Sequence, residues 1–234
     1  MATNSIEQCE WDEKTGKIYL NIPAVNGPPG TDSVPGAVVV LDPKAMKVEK
    51  VFNIPLSACT GPMGMAIGPE NQILLGCSAN GTLQNQNSAI INKNSGAVET
   101  ILTGYGGTDE VWFNTGSGHY ILPHCVAGCR TDPATAPEEI AVVDSKGFRN
   151  DTSVTVASPP STTATGPAGP SNTQRKVKSI AVDPKTNKAY IPIPGIGGSA
   201  PIFAPTICSS APTKVGSPTN ATGCIAVFKD SSED

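Results

Sequence analysis

One phrase occurs four times along this chain: an apolar strand, a tight turn rich in Gly, Asn and Lys, and a second apolar strand. The copies read SIEQCEWDEKTGKIYLNIP, GPMGMAIGPENQILLGCS, DEVWFNTGSGHYILP and VKSIAVDPKTNKAYIPIP. Aligned on the turn, Asp12, Gly68, Asn114 and Asp183 occupy equivalent places. Each copy is followed by a third strand, AVVVLD, AIINK, IAVVD or CIAVF, and the first three also by a weaker fourth. A four-stranded unit returning every ~40–50 residues marks the blades of a β-propeller, each too small to bury its own faces and therefore stacked on the next.

The expected fold is thus all-β, a single propeller domain over residues 1–234. Its blades are expected at about 5–56, 57–104, 105–158 and 175–230, with a flexible link at 159–174. Composition agrees: 24 Gly and 22 Pro against 5% aromatic and 15% charged residues make a chain rich in turns and poor in helix formers. The net charge of −4, without a long basic run, argues against a nucleic-acid partner. The cluster Arg175-Lys176-Val177-Lys178 reads as a solvated edge. No apolar stretch reaches the roughly 18 residues that span a bilayer, so no membrane partner is expected. The N-terminal run MATNSIEQCEW shows neither the basic nor the apolar part of a signal peptide.

Blade four supplies VKSIAVD, KAYIPIP and GCIAVFKD but no outer strand, and only about four residues precede the first strand, too few to complete it. The expectation is therefore a chain that pairs with a second copy into an eight-bladed ring, or one that continues a longer ring. A closed four-bladed monomer is the less favoured arrangement.

The two sides of the disc differ. On one side the turns are short: EKTG, PEN, TGSG, PKTN, PKAM, KNSG and SKG. On the other the loops are long: PAVNGPPGTDSVP, SANGTLQNQN, PHCVAGCRTDPATAP and the tract 194–222 with Ile202, Phe203 and Ile207. Long loops gathered on one face point to a pocket or a contact surface.

The first strand of each blade should line the axis and begin on that elaborated face. Its opening residues are Glu7-Gln8, Met63-Gly64, Asp109-Glu110 and Lys178-Ser179. Glu7, Asp109 and Glu110 would meet at the channel mouth, where carboxylates suit a divalent cation, Ca²⁺ above all, or act as general bases. Glu7 and Asp109 are the candidate metal ligands. His124, at the end of the second strand of blade three, joins them as a candidate base or ligand, whereas His119 falls on the opposite side.

Seven cysteines suggest three bridges holding long loops: Cys59 with Cys77, Cys125 with Cys129, and Cys208 with Cys224. Cys9 would be left over inside a core strand. Bridges favour an extracellular or other oxidising compartment. A zinc site at His124, Cys125 and Cys129 lacks a second Cys/His pair at finger spacing. The sequons at Asn80, Asn150 and Asn220 match chance in a chain this rich in Asn, Ser and Thr.

The runs DPKTNKAYI and AVVVLDPKAMKVEKVFNI resemble the YVTN/NHL class of propeller repeats, over nearly the whole chain. A narrower likeness is to the senescence-marker/gluconolactonase family, whose first blade carries E-G-P-x-W-D. Here Glu7, Trp11 and Asp12 match, while Gln8 and Cys9 replace the Gly and Pro. That resemblance implies a divalent metal held by Glu7 with ligands from other blades, Asp109 among them. The leading expectation is a small-molecule site at the channel mouth, in a lactone hydrolase, a lyase or a cyclase. The alternative is a non-catalytic propeller that binds protein or glycan through its long loops.

Overall fold

The short turns show why the repeat folds as it does. In the computed structural model, which describes residues 1–3, 5–29, 33–78, 87–125, 138–148, 150–157, 179–193 and 224–230, an Asp or Asn side chain closes most of these turns by accepting backbone N–H groups two or three residues on. Asp12 accepts from Lys14 N at 3.2 Å and from the Thr15 hydroxyl at 2.8 Å. Asp183 repeats this with Lys185 N at 3.0 Å and the Thr186 hydroxyl at 2.7 Å, and Asn114 accepts from Gly116 N at 3.1 Å. Asp42, Asn92 and Asp144 do the same at the turns between third and fourth strands.

These turns join antiparallel strands into four sheets, each a simple meander. Blade one holds β1 (Cys9–Asp12), β2 (Lys17–Ile22), β3 (Gly36–Asp42) and β4 (Lys47–Ile54). Blade two holds β5 (Pro62–Ile67), β6 (Gln72–Cys77), β7 (Asn87–Asn92) and β8 (Val98–Thr103). Blade three holds β9 (Trp112–Asn114), β10 (His119–Cys125), β11 (Glu138–Asp144) and β12 (Asn150–Ala157). Blade four holds β13 (Ala181–Asp183), β14 (Lys188–Ile193) and β15 (Cys224–Lys229), three strands among the described residues. The first strands of successive blades adjoin, β1 beside β5, β5 beside β9 and β9 beside β13. The fold is a β-propeller array of four blades, with no helix among the described residues. Residues 1–3 do not extend blade four: Ala2 bridges to Val25, and Thr3 N donates to Ala24 O at 3.1 Å, so they line up against blade one's own loop.

Stacking buries one sheet face against the next. Tyr19, Val38, Val40, Phe52 and Ile54 of blade one pack with Met65, Ile73, Leu75, Ala89 and Ile91 of blade two. The other face of blade two, Ala66, Leu74 and Ile90, meets Tyr120, Leu122, Ala141 and Val143 of blade three. The opposite face of blade three, with Ile121 and Ile140, meets Val182, Ala189, Ile191 and Ala226 of blade four.

Polar clasps close these junctions at the short-turn end, and they use equivalent positions. Asp12 ends a first strand on blade one; Lys93 follows the third strand of blade two. Their side chains pair at 2.8 Å with about 5% and 4% exposure, so neither charge has water to fall back on. Burial works against the Asp12 charge, but the Lys93 and Thr15 hydrogen bonds outweigh it and hold the carboxyl below its usual range. Between blades three and four, Asn114 takes the place of Asp12 and Asp230 that of Lys93, with Asn114 Nδ2 donating to Asp230 Oδ2 at 3.1 Å. Ser117 also donates to Asp230, and His119 Nδ1 lies 3.0 Å from its Oδ1. Between blades two and three the place holds Gly68, because Tyr120 fills it: a Cβ at Gly68 would run into the Tyr120 hydroxyl. That hydroxyl donates to Gln72 Oε1 at 3.1 Å, and Gln72 Nε2 donates to Ser145 O at 3.2 Å.

Removing one partner of a buried ion pair leaves the other charge stranded, at a cost of about 3–5 kcal/mol. Lys93→Met is therefore expected to lower the urea midpoint of the chain sharply, and adding Asp12→Asn to recover much of the loss. Losses that simply add in the double variant would show that Asp12 and Lys93 act independently.

Candidate functional site

At the opposite end of the first strands, a second set of hydrogen bonds ties blade one to blade two and shapes the channel mouth. Gln8 N donates to Met63 O at 3.2 Å, and Gln8 Oε1 accepts from Met65 N at 2.8 Å. The fully buried Asn21 donates through Nδ2 to Met63 O at 3.0 Å and Gly64 O at 2.8 Å. Gly64 in turn lies against blade three: a Cβ there would sit 3.0 Å from Asp109 O and 2.8 Å from Val111 Cγ2. Only glycine lets the strands approach this closely without displacing a backbone carbonyl.

This packing sets the three acidic residues. Glu7 lies just ahead of β1, with its N–H on Asn21 O at 3.0 Å and its Oε1 accepting from the Ser5 hydroxyl at 2.5 Å. Asp109 and Glu110 lie just ahead of β9, and all three residues are half-buried. Glu7 thus precedes the first strand of blade one, and Asp109 and Glu110 that of blade three, with the first strand of blade two, which begins Pro62-Met63-Gly64, between them.

His124 lies near the end of β10 and is buried. Along β10 it alternates onto the same face as Tyr120 and Leu122, the face packed on blade two. It is 4% exposed, and its ring meets Tyr105 edge-on with centroids 4.8 Å apart. Burial disfavours its charged form and pulls its pKa down to about 4. Strand alternation thus turns His124 onto the face between blades two and three. His119, on the short-turn side, belongs to the clasp with Asp230.

Residues that the sequence did not single out carry part of the site. Gln8 and Asn21 build the mouth, through contacts that span 42 to 57 positions and leave no local pattern. Glu10, further along the innermost strand β1, is a carboxyl that burial raises above its usual range. Among the described residues, no three His, Cys, Asp or Glu side chains are grouped to hold a metal ion.

Cys59 and Cys77 form a disulfide between the approach to β5 and the end of β6, with Cα atoms 5.3 Å apart. Both are fully buried, and Cys77 O accepts from Gly107 N and Thr108 N, so the bridge also anchors the link to blade three. Cys9 is free but exposed on β1, not enclosed in a core. Cys129 and Cys208 lie outside the described residues, as do the side-chain surroundings of Cys125 and Cys224 and the long loops 79–86, 126–137 and 194–223.

No protein-family model and no curated protein matches the sequence. Solved structures do resemble it. The chain aligns with hydrazine synthase of Kuenenia stuttgartiensis at a TM-score of 0.59 and 10% identity, over 95% of this chain and 50% of that one. It also aligns with the β-propeller domain of Cps50 (Swd1) from Myceliophteria thermophila (TM-score 0.43, 8% identity, 83% and 64% covered) and with the tricorn protease (0.39, 13%, 76% and 14%). At such identities the likeness speaks for the propeller fold alone. The chain spans half the length of the first of these neighbours.

The histidine makes a pH prediction. Its folded pKa of about 4 lies below the free value of 6.5, so the stability it lends is complete above pH ~6.5. It is lost as the pH falls towards 4, by up to about 3 kcal/mol. Replacing His124 with Leu is expected to flatten the stability profile between pH 6.5 and 4, measured by urea unfolding. An unchanged slope would place the titration elsewhere.

Proposed function

We propose that this chain is a ligand-binding propeller of the YVTN/NHL repeat type, and that its working surface is the channel mouth bordered by Glu7, Asp109 and Glu110. The observation that carries this reading is the approach of the first strands through Gln8, Asn21 and Gly64. In this reading the carboxylates of blades one and three stand around one opening, and all three residues are half-buried. Half-buried carboxylates accept hydrogen bonds from hydroxyls and ammonium groups, and two or more together favour a small polyhydroxylated or cationic organic molecule. His124 contributes to folding and not to binding in this reading.

A second reading, an enzyme of the lactone hydrolase, lyase or cyclase kind, is favoured by one observation. Glu10 on the innermost strand is a carboxyl that burial raises above its usual range, the direction wanted in a proton donor.

Calorimetric titration of the full chain with spermidine, with a neutral sugar lactone and with calcium chloride tests the site. At least one of the three is expected to bind stoichiometrically. Glu7→Gln and Asp109→Asn should each weaken that binding by roughly tenfold, about 1.4 kcal/mol, without altering the fold. No binding, or binding indifferent to both substitutions, would overturn the reading. Acid release from the lactone in a pH-stat, lost in Glu10→Gln, would move the conclusion to the enzyme.

A further inference from the structure

The three blade junctions inside the chain share one plan. The forward face of a blade, which carries the last residue of its first strand, meets the rear face of the next blade. Asp12 and Asn114 are forward residues; Lys93 and Asp230 are the rear residues that receive them. Both ends of the array present the same kinds of surface with nothing from the described chain packed on them.

Register defines the rear face of blade one. Cys9 opposes Leu20, Trp11 opposes Ile18, Leu20 and Ile18 oppose Val39 and Leu41, and these oppose Val51 and Val48. The result is one apolar sheet face, on which Trp11, Val48 and Val51 are 50%, 56% and 52% exposed. On the forward face of blade four, Ala181 opposes Tyr190, Tyr190 opposes Val227, and Pro192 opposes Ile225. Ile225 is 66% exposed and Val227 53%. Two apolar sheet faces left in water are unusual in a folded monomer and mark contact surfaces.

We propose that these faces are two halves of one more blade junction, and that the occupant is a second copy of this chain. Blade four of each protomer packs on blade one of the other, and the two identical junctions close a two-fold ring with four blades from each chain. The argument is continuity with the existing interfaces. Each end face has the strand order and the apolar register of the junctions already made inside the chain. Position also fits: Asp183, opposed in register by Lys188 and, beyond it, Lys229, stands at the forward clasp position of Asp12 and Asn114, and blade one brings Pro43 to the receiving position. The array does not close on itself, since the residues that would meet, Trp11 and Val227 among them, remain exposed. At the level of fold, 95% of the chain superposes on half of a longer chain, so this stacking is compatible with a further set of blades. The inference rests on the sheet faces and is independent of what the channel mouth binds.

Native mass spectrometry of the full chain, across concentrations up to about 100 μM, reads the outcome. The expected species is twice the 24.0 kDa chain mass. Trp11→Glu and Val227→Glu, both at exposed positions, are each expected to weaken dimerisation at least roughly a hundredfold. An equimolar mixture of the two variants should dimerise better than either alone, because one junction then has both faces intact. A wild-type monomer throughout would overturn the proposal. So would a dimer indifferent to both variants, a mixture no better than its components (which would mean like patches pairing), or open oligomers of increasing length.

Discussion

Everything in this molecule depends on the stacking of sheets that are apolar on both faces. The strand Ala37-Val38-Val39-Val40-Leu41 shows why. Val38 and Val40 point towards blade two and are buried, while Val39 and Leu41 point the other way. No turn chemistry or strand propensity makes such a sheet stable alone; it needs a neighbour on each side. Blades two and three have both neighbours within the described chain, and their central strands hold most of the largest fully buried side chains, Ile73, Leu74, Leu75, Ile90, Ile91, Tyr120, Ile121 and Leu122. The clasps then fix how the sheets meet. They place polar pairs where the packing is tightest, and the Asp12–Lys93 pair is tolerable there because each charge is met by the other.

Much of the fold is legible in the sequence because blade formation is local. Turns such as Asp12-Glu13-Lys14-Thr15 carry their own capping side chain, and alternation within six to eight residues reveals each strand. The alignment of Asp12, Gly68, Asn114 and Asp183 even located the clasp position, though not its use. The partners are 81 positions away for Asp12 and 116 for Asn114, and nothing local signals them. Gly68 looked like an ordinary turn residue; only the Tyr120 hydroxyl explains it.

The candidate site divides in the same way. The positions of Glu7, Asp109 and Glu110 ahead of a first strand are readable from the repeat, because the start of a first strand is a topological position. The position of His124 at the end of β10 was readable, but not the face its ring takes; alternation turns it towards the face that carries Tyr120 and Leu122. Cys9 was expected inside a core for the opposite reason. Its strand is a core strand in any blade with two neighbours, but it faces the open side of blade one. The Cys59–Cys77 bridge was accessible from sequence because both cysteines sit at the same end of paired strands.

Blades stabilised by their neighbours should differ in how readily they open, and amide hydrogen exchange read blade by block measures this directly. At high dilution, β5–β8 and β9–β11 are predicted to exchange slowest, and β1–β4 and β13–β15 markedly faster. Raising the protein concentration should slow the end blades towards the inner ones as their open faces are covered. Equal protection of all four blades at every concentration would contradict the dependence of each sheet on its neighbours.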